Sequence, residues 1–129
     1  MLVGENTPSP DRIDGGPGRD FISYNNGGTL TLDVAAGTGD GVNSGVDTLK
    51  SIEDAQGSEG PDTLLGDNGP NLLIGGGGDD TIRGRGGIDV IDAREGGGGD
   101  PDVEINCGPG DNSKERAIVD PEDPKPKSC

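Results

Sequence analysis

The stretch "LIGGGGDDTIRGRGGIDVID", Leu73 to Asp92, decides the fold. Its twenty positions hold seven glycines and four aspartates. Ordering such a chain is costly, at roughly 1 to 2 kcal/mol per residue, with glycine the most expensive because it has the most freedom to lose. The stretch either stays disordered, as Gly-rich linkers do, or folds around something other than apolar mass. Its register with the preceding residues favours the second. Residues 57 to 92 divide without insertion into "GSEGPDTLL", "GDNGPNLLI", "GGGGDDTIR" and "GRGGIDVID". The sixth position reads Asp62, Asn71, Asp80, Asp89, and the eighth reads Leu64, Leu73, Ile82, Ile91. A linker has no reason to keep acids and aliphatics in phase, so this segment is an ordered repeat when ions are supplied.

Working outward, the phase returns in "NTPSPDRID" and "GGPGRDFIS", residues 6 to 23, where Asp11 and Asp20 precede Ile13 and Ile22 by two. The distance from Asp20 to Asp62 is not a multiple of nine, so residues 24 to 56 interrupt the count. There "GTLTLDV" alternates like a strand, "AAGTGDGVNSG" is loop-like, and "VDTLKSIEDAQ" fits a strand or one helical turn. We expect extra turns of the same stack, with a loop bulging at residues 36 to 45. Residues 93 to 129 lose the phase and form a separate irregular cap. Within it "EGGGGDPD" reads as loop, "VEIN" and "RAIV" as short strands, and "DPEDPKPKSC" as a Pro-rich end.

Bulk composition agrees with a thin core. The 129 residues suit one domain or one short repeat array. Apolar residues make up 26% and aromatics 2%, so the large side chains that normally dominate a core are missing. The net charge of −15 argues against nucleic acid and anionic membrane surfaces as partners and favours cations. No apolar run is long enough to span a bilayer, and no N-terminal signal peptide is visible.

One unit, "GGGGDDTIR", shows what the spacing is for. Its glycine-rich half turns through positive φ and exposes carbonyl oxygens. In the three-residue strand that follows, Ile82 points one way while Thr81 and Arg83 point the other. One buried aliphatic per nine residues cannot hold a unit alone. Units must stack, two to a turn, into a flattened parallel coil. Carbonyls and Asp carboxylates then converge in rows, and such hard oxygen donors suit Ca²⁺ rather than zinc or copper.

These residues bring a resemblance into view. "GGPGRDFIS" and "GGGGDDTIR" fit G-G-x-G-x-D-x-U-x, with U a large aliphatic, and the chain resembles the RTX, or hemolysin-type, calcium-binding repeat family over about residues 6 to 92. The tail "NCGPGDNSKERAIVDPEDPKPKSC" is similar to the Cys-containing end of small actinobacterial calcium-binding repeat proteins. The resemblance implies an all-β parallel β-roll, a right-handed solenoid holding several Ca²⁺ ions in its Gly-Asp turns. It implies metal-site residues Asp11, Gly15, Gly16, Gly18, Asp20, Gly57, Asp62, Gly66, Asn71, Gly75, Gly76, Gly78, Asp80, Gly84, Gly86 and Asp89. Asp62 with Asp80, and Asn71 with Asp89, would frame sites on opposite edges, while the partners of Asp11 and Asp20 are hidden by the interruption. Departures from the pattern fall at the second position, where "GSEGPD" and "GDNGPN" lack glycine and "GRGGID" has Arg85. Asn71 brings no charge, so its site is expected to be weaker. Asp67, Asp79 and Asp92 read as solvated.

A site of extracellular affinity contributes only about 1 kcal/mol at millimolar ion, so several coupled sites are needed and the ion-free chain is expected to be loose or unfolded. That suits a secreted protein that folds after export. Cys107 and Cys129 are expected to pair as a disulfide, the alternative being two independent thiols; with no histidine, the chain offers too few soft ligands for zinc. The missing histidine also removes HExxH metalloprotease chemistry and His-dependent triads, so no enzyme is expected. The remaining alternatives are an extracellular adhesin-type module, binding carbohydrate or another surface, and a C-terminal remnant of a larger secreted hydrolase or toxin. Regular threonine ranks would favour adhesion. The outward positions read Thr63 and Leu65, Leu72 and Ile74, Thr81 and Arg83, Val90 and Asp92, which is irregular.

Overall fold

A computed structural model describes residues 2–4 (backbone only), 9–24, 27–41, 45–94, 101–109 and 114–129. What the sequence leads us to expect of residues 5–8, 25–26, 42–44, 95–100 and 110–113 lies outside the described residues. The described chain is all-β and contains no helix. Its strands are β1 (Leu2–Gly4), β2 (Arg12–Asp14), β3 (Phe21–Tyr24), β4 (Leu30–Asp33), β5 (Thr38–Gly41), β6 (Gly45–Lys50), β7 (Asp54–Gln56), β8 (Asp62–Leu65), β9 (Leu72–Ile74), β10 (Thr81–Arg83), β11 (Val90–Asp92), β12 (Glu104–Asn106) and β13 (Arg116–Ile118).

The strands form two sheets, ordered β1-β3-β7-β9-β11-β13 and β12-β10-β8-β4-β5-β6-β2. From β7 to β13 the chain alternates between them, so each strand pairs in parallel with the strand two elements later. Between the repeat strands the register follows the nonapeptide: Leu64 lies opposite Ile82, and Leu73 opposite Ile91, both 18 residues apart. A shift of one residue would turn every aliphatic to solvent, so the eighth-position Leu and Ile fix the pairing.

Those aliphatics form two ladders. Ile22, Ala55, Leu73, Ile91 and Ala117 run along the first sheet, and Leu32, Leu64, Ile82 and Ile105 along the second. Together they make one cluster, in which Ile22, Leu32, Leu64, Leu73, Ile82 and Ile91 are completely buried. Small residues in the ladder, Ala55 and Ala117, belong to the segments that broke the count of nine.

Two expectations change. The loop expected at residues 36 to 45 contains β5, which pairs antiparallel with both β4 and β6 and closes the gap between them. Glycine is required there, because a Cβ on Gly39 would stand 2.5 Å from the Tyr24 hydroxyl. The segment "VDTLKSIEDAQ" resolves as two strands, β6 and β7, separated by residues 51–53, with no helical turn. After residue 92, where the phase fails, the two short strands do not merely cap the structure: β12 and β13 extend both sheets by one rung. Cys107 and Cys129 are joined by a disulfide with a Cα–Cα distance of 5.2 Å. It ties the last residues beside β12, where the Cys107 amide donates to the Lys127 carbonyl and the Lys127 amide to that of Ile105.

Candidate metal centre

The position two residues before each ladder aliphatic is where the chain leaves a turn and enters a strand. Extending the strand register by one residue places Asp20, Glu53, Asn71, Asp89 and Glu115 in one row beside the first sheet. Beside the second sheet the same step places Asp62 next to Asp80, and Asp11 next to Asp47. In four of the neighbouring pairs the backbone amide of one member meets the side chain of the other. The Asp62 amide donates to Asp80 Oδ1 (2.9 Å), that of Asn71 to Asp89 Oδ1 (2.9 Å), that of Asp20 to Glu53 Oε2 (2.8 Å) and that of Asp11 to Asp47 Oδ1 (2.8 Å). Sequence reasoning had paired Asp62 with Asp80 and Asn71 with Asp89, and the structure brings both pairs together. It also supplies the missing partners of Asp11 and Asp20, namely Asp47 and Glu53.

The turns that carry these side chains are of two kinds. In units 15–20, 75–80 and 84–89 the second position lies at positive φ: Gly16 at 85°, Gly76 at 115° and Arg85 at 73°. Units 57–62 and 66–71, with Ser58 and Asp67 there, do not adopt it. Instead the second-position amide turns inward: Ser58 N–H donates to Asp62 Oδ2 and Asp67 N–H to Asn71 Oδ1. Arg85 reaches the glycine-like conformation because its guanidinium is held by Asp33 (2.7 and 2.9 Å) and by the Gly66 carbonyl (2.9 Å). The departure that left this turn open in the sequence is thus compensated by a side chain 52 residues away.

The first glycine of each unit marks where oxygens converge. A Cβ on Gly57 would overlap the Gly75 carbonyl oxygen and Asp62 Oδ2. One on Gly66 would overlap Asn71 Oδ1 and the Gly84 carbonyl, and one on Gly75 would overlap Asp80 Oδ2. Gly15 is crowded by the Ser51 carbonyl and the Asp20 side chain. Gly78 packs against the backbone of Gly60, Gly86 approaches Asn68, and Gly18 has open space beside it. At Gly57 and Gly66 the first position therefore brings a sixth-position oxygen together with a carbonyl of the unit 18 residues on, while at Gly75 only the sixth-position oxygen is close. Among the described residues no three acidic, His or Cys side chains form a group that could hold a metal ion alone. An ion held here would draw on backbone carbonyls as well.

Burial makes these acids costly. Asp47, Asp62, Asp80 and Asp89 are buried. Desolvation raises the Asp62 carboxyl above its usual range against the Ser58 and Leu30 amides that lower it. Desolvation likewise pushes Asp89 up to about 6, with the Glu115 charge adding to the rise and the Asn71 amide opposing it. Oδ2 of Asp20 and Oδ2 of Asp89 are buried without a hydrogen-bond partner. A buried carboxylate oxygen left bare costs more than its hydrogen bond would return, and a divalent cation removes that cost. The donor set, all oxygen, fits calcium. Asp47 and Asp62 differ from Asp20 and Asp89: the Asp47 carboxylate accepts from the Asp11 amide and from the Tyr24 hydroxyl at 2.7 Å, and the Asp62 carboxylate from the Leu30 and Ser58 amides.

Of the acids read as solvated, Asp79 is exposed, Asp92 pairs with Arg94 (2.7 Å), and Asp67 caps the Gly69 amide (2.7 Å). Four members of the rows or their neighbours were missed: Asp47, Glu53, Asp102, whose Oδ1 accepts the Asp80 amide (3.0 Å), and Glu115. A signal for one was present, since "DTL" at 47–49 repeats "DTL" at 62–64. Counting by nines hid it.

Comparison with known families places the RTX calcium-binding nonapeptide repeat, in four copies, at residues 8–28 and 56–91. No curated protein matches the chain. The matched segments contain all the sequence-predicted metal-site residues, and calcium is the ion such repeats bind.

Proposed function

We propose that this chain, which carries RTX calcium-binding nonapeptide repeats, is a secreted structural module: a right-handed parallel β-roll that orders when Ca²⁺ enters its Gly-Asp turns. The observation that carries this reading is the meeting, at the first position of successive units, of a buried sixth-position oxygen with a carbonyl of the unit 18 residues on. Asp62 meets the Gly75 carbonyl in this way, and Asn71 the Gly84 carbonyl. Folding dependence follows from magnitude. One buried aliphatic per unit is a small gain against the entropy of a glycine-rich turn, and a net charge of −15 opposes closure until cations neutralise the rows. Calcium is near millimolar outside cells and scarce in the cytosol, so the chain stays open until export. The disulfide suits an oxidising compartment. The role is structural, and no catalytic step is assigned to it.

The test is far-UV circular dichroism of the EDTA-treated protein titrated with Ca²⁺, with Mg²⁺ as control. A cooperative gain of β signal with Ca²⁺ alone is expected. A spectrum already β without ion, or unchanged at 10 mM Ca²⁺, overturns the reading.

A further inference from the structure

Beyond the last matched repeat, the chain contains "CGPG" at residues 107 to 110, an echo of "GGPG" at 15 to 18. The two starts share backbone geometry. Gly108 has φ 96° where Gly16 has 85°, and each donates its amide to the side chain two residues earlier, Asn106 Oδ1 and Asp14 Oδ1. Cys107 also stands where a repeat has its first glycine. A Cβ on Gly84 would overlap both Asp89 Oδ2 and the Cys107 carbonyl oxygen, just as one on Gly66 would overlap Asn71 Oδ1 and the Gly84 carbonyl. The segment opening at Cys107 leads into β13, whose register puts Glu115 beside Asp89.

Glu115 is 5% exposed, and both its carboxylate oxygens are buried without a hydrogen-bond partner; Asp89 Oδ2 is in the same condition. The cation whose charge acts on Asp89 is Arg19, and its guanidinium is already engaged by Asp54 at 2.7 Å through both Nε and Nη2. Two buried negative charges thus sit side by side with no protein cation paired to either among the described residues. A water molecule would satisfy hydrogen bonds but leave the charge, whereas a divalent cation answers both needs.

We propose that Asp89, Glu115 and the Cys107 carbonyl form a further calcium site, in which Asp89 of the last nonapeptide is joined by two residues outside the motif, and that this site closes the array at its disulfide-bonded end. The inference rests on the calcium-binding reading above but adds a ligand from the tail. Asp89 Oδ2, the two Glu115 oxygens and the carbonyl provide hard donors, and solvent completes the coordination. Cys107 offers no thiolate to a softer metal because its sulfur is in the disulfide. The disulfide, by fixing Cys107, positions the carbonyl.

The test uses the full oxidised chain, wild type and Glu115→Gln, titrated with CaCl₂ by calorimetry, with carbonyl and carboxyl ¹³C shifts followed by NMR. The variant is expected to bind one ion fewer than wild type while folding with the same β spectrum at saturating calcium. In wild type, the Glu115 carboxyl and Cys107 carbonyl resonances are expected to move together with calcium. Equal ion numbers and affinities in both proteins overturn the site while leaving the repeat reading intact, as do Glu115 and Cys107 resonances that never respond. If the variant does not fold, the wild-type resonances decide alone. A wild type that binds no calcium overturns both.

Discussion

Arg85 and Asp33, 52 residues apart, are joined by a two-pronged ion pair, Nη1 to Oδ1 at 2.7 Å and Nη2 to Oδ2 at 2.9 Å, and this pair holds Arg85 at a φ of 73°. The left-handed region costs a non-glycine residue roughly 1 to 2 kcal/mol. Arg85→Ala keeps that cost and loses the clamp, so it is expected to destabilise the calcium-loaded protein by about 1 to 2 kcal/mol, counting the Gly66 carbonyl contact. Arg85→Gly loses the clamp but also the strain, and should lie closer to wild type. Urea unfolding at saturating calcium compares the three.

The same pair sets a pH dependence. The Arg85 hydrogen bond holds the Asp33 carboxyl below its usual range. A carboxyl lowered by folding contributes stability that is fully present above its unfolded value, about 4, and is lost as pH falls through the folded value. The stability difference between wild type and Asp33→Asn is therefore expected to be constant from pH 7 to 5 and to shrink below about pH 4. A difference that grows as pH falls contradicts the assignment.

Gly66 and Gly77 make a paired test of the turns. A Cβ on Gly66 would overlap Asn71 Oδ1 and the Gly84 carbonyl, whereas one on Gly77 meets only ordinary contacts, the nearest at 3.6 Å. Overpacking of this kind costs about 1 to 3 kcal/mol, which at 1.4 kcal/mol per tenfold moves a calcium midpoint by about fivefold or more. Gly66→Ala should show that shift in a circular dichroism titration, and Gly77→Ala should stay within about twofold.

The parts of the fold that keep the count of nine were legible because period and burial coincide: Leu64, Leu73, Ile82 and Ile91 were named from spacing and are all fully buried. What escaped lay where another interaction replaced the period. β5 was read as loop because Thr38–Gly41 has no aliphatic to show; its place is set by β4 and β6 on either side and by the Tyr24 phenol that only Gly39 admits. Glu53 and Glu115 were passed over because each precedes an alanine, Ala55 or Ala117, rather than a Leu or Ile. The Arg85 turn was open to doubt because its compensation comes from Asp33, far away in sequence.

Tyr24 and Asp47 show how a buried row carboxylate is satisfied within the protein. The buried phenol donates to Asp47 Oδ2 at 2.7 Å, and burial followed by the neighbouring carboxylate keeps the phenol protonated well past its usual range. Tyr24→Phe leaves that oxygen buried without its donor, at a cost of about 1 to 3 kcal/mol. Asp47→Asn keeps one acceptor, for the Asp11 amide, and its Nδ2 can donate to the phenol oxygen, so both contacts survive and it should cost less. Thermal unfolding in calcium orders the two, and a Tyr24→Phe protein as stable as wild type contradicts the role given to the pair.

Reduction of the disulfide tests how far order at the tail depends on it. Cys107 and Cys129 are 22 residues apart, and closing a loop of that size contributes about 3 kcal/mol in the chain-entropy model. The tail beyond Pro124 holds to β12 through the Cys107 and Lys127 amides, and the pairing of Asn106 with Lys127 is an isolated bridge rather than a ladder. Few contacts would therefore keep it in place once the covalent tie is cut. In the reduced, calcium-loaded protein the Cys107 and Lys127 amides are expected to exchange with solvent much faster. The amides of Leu64, Leu73, Ile82 and Ile91, in the interior of both ladders, should stay protected, as hydrogen exchange by NMR will report. Uniform loss of protection across both groups would mean that the disulfide stabilises the entire stack rather than its last rung.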